Sequence, residues 1–217
     1  MKIKAVGITN LTDARYFAAQ GASWMHLDFK VTSQNYIASE NAAAIMSWVE
    51  GIDFIGEWAT NDVDTLNKNL RDTNIKAVQI GEDFPIENIS QIEADIIFRK
   101  INIPASFNIT DLQKRIDIGK INSGILDSKR IIVEFIFPYH DFPTLFGGSN
   151  TLNFTALKNL ALNFSVSLDI SCNEQDCAQL VQLNLSTLCL HGGEEEQVGI
   201  KSYEALDNIF EALETFV

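Results

Sequence analysis

The chain has 217 residues, of which 46% are hydrophobic and 21% charged, and its formal net charge is −13. A chain this apolar can bury a core and is not expected to be disordered, while no run approaches the roughly 18 uncharged apolar residues that a membrane span requires. The 29 acidic residues outnumber the 16 basic ones, which argues against a nucleic-acid partner because phosphate backbones select a basic face. We expect a cytoplasmic protein, since Met1 leads directly into a strand pattern.

Short β-rich runs alternate with amphipathic helical patterns along the whole chain. The predicted strands span residues 3–8, 24–29, 54–59, 77–80, 96–101, 131–137, 164–170 and 187–191. The predicted helices span residues 13–20, 39–49, 63–71, 86–92, 111–120, 155–161, 174–183 and 203–216, with Thr12 and Ser39 as the expected N-caps of the first two. Eight strand–helix units at intervals of about 25 residues predict one α/β domain over residues 1–217, a (β/α)8 TIM barrel.

Polar side chains alternate with apolar ones in two of the predicted strands. His26 and Asp28 share one face of the second strand, and Asp169 lies on the polar face of the seventh. Because the face that packs against the helices must be apolar, these side chains are expected to point into the barrel near the strand ends where such barrels place their chemistry. His140 and His191 also fall at or just beyond the ends of predicted strands.

Substrate contacts are expected from residues at the same ends of other strands. Gln79 is predicted to point inward from the fourth strand, and Arg99 and Lys100 follow the fifth, one facing inward and the other outward. With His140 and His191, Gln79 and Arg99 are the predicted substrate-binding residues. An anionic substrate would depend on such local donors because the net charge of the protein is negative.

Four segments resemble motifs of the phosphoribosylanthranilate isomerase family, in the right order over essentially the whole chain. They are residues 6–22 (KICGIT…DA…GAD in the family), 78–81 (VQLHG), 147–154 (GGSG…FDW) and 191–201 (SSGVE…PGIK). The family consists of (β/α)8 barrels that perform an Amadori rearrangement in tryptophan biosynthesis. The resemblance therefore implies a barrel isomerase that takes a small anionic sugar-phosphate metabolite, requires no cofactor and is a monomer or homodimer.

The catalytic positions of that family are altered in this chain. The cysteine that serves as general base corresponds to Val6, which can neither take nor give a proton. The arginine that receives the substrate carboxylate corresponds to Asn35, and the general-acid aspartate has Glu134, His140 and Asp141 as its nearest candidates. The resemblance thus implies the fold more firmly than the reaction.

Two glycine pairs and a serine suggest phosphate binding after three of the strands. Gly147 and Gly148 follow the sixth strand, and Gly192 and Gly193 follow the eighth, while Ser171 takes the place of a family glycine after the seventh. Glycines let backbone N–H groups approach phosphate oxygens, and barrels commonly bind phosphate on the loops after their last strands.

The second strand also resembles the Trp-Ile-His-Ile-Asp strand of ribulose-phosphate 3-epimerase, a metal-dependent barrel. That resemblance implies His26, Asp28, Glu57 and Asp169 as ligands of a divalent metal, with the three carboxylates Asp28, Glu57 and Asp169 as catalytic groups. Such a cluster suits zinc, manganese or iron and would allow proton transfer through a metal-polarised enediolate.

The sequence leaves three functions open. The first is a sugar-phosphate isomerase that works through substituted groups. The second is a metal-dependent epimerase, aldolase or lyase. The third is a non-catalytic descendant that binds a small metabolite or a protein partner.

Overall fold

A computed structural model describes residues 1–106, 130–146, 151–192, 194–197 and 200–216. Eight parallel strands form a closed barrel in chain order, each paired with its sequence neighbours, and the last strand pairs with the first. The barrel strands are β1 (Lys2–Val6), β2 (Trp24–Asp28), β3 (Asp53–Glu57), β4 (Ala77–Ile80), β5 (Ile96–Asn102), β6 (Ile131–Asp141), β7 (Val166–Ser171) and β8 (Thr187–His191). The predicted (β/α)8 barrel is therefore confirmed.

Helices connect the strands around the outside of the barrel. The α-helices of the described residues are α1 (Leu11–Ala19), α2 (Ser39–Trp48), α3 (Val63–Thr73), α4 (Phe142–Phe146), α5 (Thr151–Asn163), α6 (Cys177–Gln182) and α7 (Glu204–Glu214). No helix in this part of the chain combines the length and the apolar character that crossing a membrane requires.

Several local expectations change. The fourth predicted helix is a 3₁₀ helix (Ile86–Gln91), and the helix predicted over 174–183 divides into a 3₁₀ turn (Glu174–Asp176) and α6. After β8 the chain forms an unpredicted antiparallel hairpin of β9 (Glu194–Gln197) and β10 (Ile200–Ser202). The helix predicted over 111–120 lies outside the described residues.

Both predicted N-caps are wrong by one or two residues. The N-cap of α1 is Asn10, whose side chain accepts a 2.9 Å hydrogen bond from the Asp13 backbone N–H, so that Thr12 lies within the first turn. Ser39 is the first residue of α2, and Ala38 caps that helix without a side-chain hydrogen bond. Asn10 is as good a capping residue as threonine, so residue type alone does not choose between them.

Two apolar layers hold the barrel. On the outer face of the strands, residues such as Met25, Val78 and Ile97 pack against the helices in the main core. Inside the amino-terminal half of the barrel lies a separate inner apolar layer, formed by Trp24, Ile55, Ala77, Phe98 and Ile132. Because this layer fills the lower half of the interior, the inward polar side chains gather in the upper half, at the carboxyl-terminal ends of the strands. We call that end the mouth.

Candidate active site

A buried lysine occupies the centre of the barrel, directly above the inner apolar layer. Lys4 on β1 is fully buried, and its ammonium donates to both carboxylate oxygens of Glu134 at 2.7 and 2.8 Å and to the side-chain oxygen of Gln79. Its Nζ also lies 4.7 Å from the ring centroid of Phe98. Burial by itself lowers the pKa of Lys4, but the negative charge of Glu134 outweighs it and raises that pKa, so Lys4 stays charged.

Glu134 is held from several sides. Ser167 donates to Oε2 at 3.0 Å, and the Cys189 thiol lies 3.3 Å from the same oxygen. Glu134 was one of the residues considered for the family's general acid, but it is only 1% exposed and paired with Lys4. The sequence signal that points to Lys4 is the alternation of Lys2, Lys4 and Val6 on one face of β1.

The side of the mouth formed by β2, β3 and β5 carries a second cluster of charges. His26 Nε2 lies 3.1 Å from Glu57 Oε2, while Glu57 Oε1 accepts from the ammonium of Lys30 at 2.5 Å and from that of Lys100. Burial alone would raise the pKa of Glu57, but the hydrogen bond with His26 and the charge of Lys100 hold it well below its usual range. Burial lowers the pKa of His26, which is therefore a neutral imidazole that donates to Glu57 at neutral pH.

The geometry does not fit the predicted metal site. Glu57 faces two ammonium groups, and Asp28 pairs with Lys30, whose Nζ lies 3.2 Å from its Oδ2. Asp169 makes its contact with a different residue, His191. Within the described ranges, no three His, Cys, Asp or Glu side chains converge as metal ligands would. Of the four predicted ligands the structure joins only His26 and Glu57, and the lysines supply the positive charge that these carboxylates need.

The opposite side of the mouth carries a pair formed by Asp169 on β7 and His191 at the end of β8. His191 Nε2 lies 2.8 Å from Asp169 Oδ1, and the two side chains are 58% and 12% exposed, respectively. The hydrogen bond to Asp169 raises the pKa of His191. Burial would raise the pKa of Asp169, but the bond to His191 lowers it. The sequence placed both residues at strand ends without predicting that they pair.

A cavity of about 720 Å³ opens over this pair, between the ends of β6, β7 and β8 and the start of α7. Its lining includes the predicted site residues His140, Asp169, Ser171, His191 and Gly192. His140 also makes a contact of 3.0 Å from Nε2 to the Ala105 carbonyl oxygen.

The predicted phosphate-binding residues are only partly described. Ser171 and Gly192 line the larger cavity, whereas Gly147, Gly148 and Gly193 lie outside the described residues. Gly192 also has a structural reason to lack a side chain, because a Cβ atom there would lie 3.1 Å from Asp13 Oδ2. Asp13 is fully buried and accepts hydrogen bonds from Lys201 at 2.5 Å and from Tyr203 at 2.6 Å.

A smaller cavity of about 280 Å³ lies on the other side of the mouth and is lined by Lys30, Glu57, Gln79 and Lys100 among others. Gln79 points inward, as predicted. Arg99 does not, because its neighbour Phe98 belongs to the inner apolar layer and alternation then turns Arg99 to the outer face of β5. Its guanidinium lies 3.3 Å from the Glu82 carbonyl oxygen. The inward cation of β5 is Lys100.

Two of the altered family positions, Val6 and Asn35, lie near the end of β1. Val6 is the last residue of that strand and pairs in register with His191 on β8. The Asn35 side chain lies 3.5 Å from the position that a Cβ atom on Gly7 would take. Asn35 therefore lies against the turn after β1 and brings no charge there.

Comparison with known proteins agrees with this architecture. The chain matches no protein-family profile. It is 24% identical over 131 residues to an N-(5'-phosphoribosyl)anthranilate isomerase from Chlorobium chlorochromatii, and the match spans 59% of this chain and 60% of that protein, less than two thirds of its length.

Solved structures of phosphoribosylanthranilate isomerases share the fold of this chain over almost its entire length. Phosphoribosylanthranilate isomerase from Thermotoga maritima aligns with a TM-score of 0.74 at 18% identity, over 99% of both chains. A phosphoribosylanthranilate isomerase in complex with reduced 1-(o-carboxyphenylamino)-1-deoxyribulose 5-phosphate aligns with a TM-score of 0.72 at 16% identity, again over 99% of both chains. The resemblance found in the sequence motifs is thus confirmed, and the chain has the (β/α)8 barrel fold that the phosphoribosylanthranilate isomerases share.

Proposed function

We propose that the protein is an isomerase of the phosphoribosylanthranilate isomerase type, which binds a small anionic sugar phosphate in the mouth and performs an Amadori isomerisation on it. The observation that carries this proposal is the cavity of about 720 Å³ over the ends of β6, β7 and β8. (β/α)8 barrels place their active sites at this end, and many hold a phosphate on the loops after strands seven and eight.

Local charges suit an anionic ligand in spite of the net charge of −13. Lys30 and Lys100 line the smaller cavity, and His191 lines the larger one with a raised pKa. Glu174 and Glu204 also line the larger cavity, but both are exposed and can keep their carboxylates in water. An anionic group of a ligand would therefore find ammonium donors on the side of the mouth that carries Lys30 and Lys100, where it would share them with Glu57.

The reaction needs only proton transfers. A general acid protonates the ring oxygen of the furanose as the ring opens, and a general base removes the proton from the second carbon of the sugar. No electrons are exchanged with a cofactor, so side chains that give and take protons suffice. The proposal therefore requires an accessible ionisable group in the mouth, and Val6 cannot be that group.

Turnover of N-(5'-phosphoribosyl)anthranilate by the purified protein tests the proposal. We expect the fluorescence of the anthranilate group to change with time at a rate proportional to protein concentration, and we expect the gene to restore growth of a tryptophan auxotroph that lacks this isomerase. Binding of reduced 1-(o-carboxyphenylamino)-1-deoxyribulose 5-phosphate, measured by calorimetry, is the companion experiment.

The two measurements separate the remaining functions. Binding without turnover contradicts the isomerase and favours a metabolite-binding descendant. The absence of both binding and turnover contradicts the whole proposal. Turnover that disappears in a chelator and returns with a divalent cation would contradict a reaction carried out by side chains alone.

A further inference from the structure

We infer that His191, oriented by Asp169, is the general base of this isomerase and replaces the thiol that the family motif places at Val6. This inference rests on the proposed function, because it assigns a residue to a step of that reaction. It goes beyond what the resemblance implies, since the family motif places serine at the His191 position.

The first argument is the register of the strands. In the ladder between β1 and β8, Lys4 pairs with Cys189 and Val6 pairs with His191. Lys4 and Cys189 both point into the barrel, where each contacts Glu134, so Val6 and His191, two residues further along, point inward as well. Neighbouring strands lie about 4.8 Å apart. The backbone position of His191 therefore lies one strand spacing from that of Val6, where the family motif has its thiol.

The second argument is the orientation of the ring. Asp169 Oδ1 lies 2.8 Å from His191 Nε2 and, as a carboxylate, accepts the proton that this nitrogen carries. That hydrogen bond selects the tautomer in which the other nitrogen, Nδ1, has a free lone pair and faces away from Asp169. A carboxylate that fixes the tautomer and orientation of a catalytic histidine in this way is a recurrent arrangement in enzymes.

The third argument is access. The His191 side chain is 58% exposed and lines the larger cavity. Three other ionisable groups in the upper half of the barrel are less suited to the task. Burial raises the pKa of the Cys189 thiol well above its usual value, and Glu134 is enclosed by Lys4 and Ser167. His26 is 5% exposed and bonded to Glu57.

Charges from every neighbouring strand act on His191. The hydrogen bond to Asp169 raises its pKa, partial burial and the positive charge of Lys4 on β1 lower it, and the negative charge of Glu134 on β6 raises it, with a net upward shift. The cavity lining adds His140, Glu174 and Glu204. A histidine whose pKa lies above 6.5 is suited to accept a proton near neutral pH and to release it afterwards.

The step balances without a further reactant. In the ring-opened iminium form of the substrate, Nδ1 of His191 takes the proton from the second carbon. The electron pair of that C–H bond forms a carbon–carbon double bond, and the π pair of the C=N bond moves to nitrogen. The resulting enaminol becomes the ketose by taking a proton at the first carbon and losing its hydroxyl proton to water, while the imidazolium releases its own proton.

Three variants test the assignment. We expect His191→Gln to lower kcat about 100-fold, within the range for loss of a general base, while the affinity for the reduced product analogue stays within error. Asp169→Asn should lower kcat by less than His191→Gln does. Because Asp169 raises the pKa of His191, its removal should also move the acidic limb of the pH–rate profile to lower pH. Asp72→Asn, the same change at an exposed carboxylate on α3, should leave both kcat and the profile unchanged.

The outcomes are distinct. Undiminished kcat in His191→Gln overturns the assignment of the base and leaves the isomerase proposal intact. An unmoved acidic limb in Asp169→Asn overturns the role of Asp169 as a positioning residue. Absence of turnover in the unmodified protein contradicts the isomerase and with it this assignment. Near-ultraviolet circular dichroism of each variant verifies that the barrel is folded.

Discussion

Two pairs of opposite charge lie in the same barrel and differ in their contact with water. Lys4 and Glu134, at the centre, have exposed fractions of 0% and 1%, and additional side chains bond to both. Asp169 and His191, at the rim, are 12% and 58% exposed and open on a cavity. The central pair joins β1 to β6 and the rim pair joins β7 to β8, and the depth of each pair in the barrel accompanies its contact with water.

That difference in depth decides what each pair can do. A buried pair cannot lose one partner without leaving the other charge unpaired in a medium of low polarity, which strongly destabilises the fold. A half-exposed pair loses little free energy when one of its charges changes, because water solvates the charge that remains. The central pair therefore stabilises the barrel, and the rim pair is available for proton transfer.

The largest effect should come from breaking the central pair. Glu134→Ala leaves the Lys4 ammonium buried without its partner and should lower the free energy of unfolding by about 3–5 kcal/mol. Urea denaturation measures this change. In the exposed pair of Lys68 and Asp72, by contrast, Asp72→Ala should change stability by less than about 0.5 kcal/mol. Similar values for the two variants would contradict the structural role of the central pair.

Placing a thiol at position 6, where the family motif has its cysteine, tests whether a second base can replace the imidazole of His191. In the His191→Gln background, Val6→Cys places a new base one strand spacing away from the lost imidazole. We expect kcat of the double variant to be about 10-fold higher than that of His191→Gln alone, which is a part of what general-base catalysis contributes. The matched control is Val6→Ser in the same background, because a hydroxyl of ordinary pKa is a poor base and should restore nothing. Equal rates for the two double variants would argue against proton transfer at this corner.

A smaller effect is expected on the other side of the mouth. Lys100→Gln removes an inward ammonium from the smaller cavity and should weaken binding of the reduced product analogue about 10-fold, the order expected for one charge-assisted contact. Titration calorimetry measures the affinity, and Lys68→Gln on the exposed face of α3 serves as the control. An unchanged affinity would show that the ligand does not reach this cavity.

The smallest effect is the dependence of stability on pH at the rim. The folded-state pKa of His191 is raised above 6.5 and that of Asp169 is depressed below 3.8. The stability that their pairing contributes is therefore complete between these ordinary values. It is lost as pH rises through the raised pKa of His191, and it is also lost as pH falls through the depressed pKa of Asp169.

We expect the difference in unfolding free energy between the wild type and Asp169→Asn to be greatest between pH 3.8 and 6.5. Because His191 is more than half exposed, the difference should stay near or below about 1 kcal/mol. Thermal unfolding across a pH series measures it. A difference that is constant across the series would mean that the two residues are not electrostatically coupled.

Much of the barrel follows from local pattern. The alternation in β2 and β7 was enough to predict that His26, Asp28 and Asp169 face the interior, because successive side chains on a strand point to opposite sides. The same rule predicted that one of Arg99 and Lys100 faces inward, but it could not say which one. That depended on Phe98, whose place in the inner apolar layer is set by contacts with other strands.

What the sequence by itself determined was the eight-unit barrel and the set of side chains near its carboxyl-terminal end, since strand periodicity and strand order are local properties of the chain. Only the tertiary structure decided that Lys4 pairs with Glu134, 130 residues away, and that Asp169 pairs with His191 rather than with His26 and Glu57. Partners across a barrel are set by its closure and by the stagger between strands, and a pattern of period two along one strand carries no information about either.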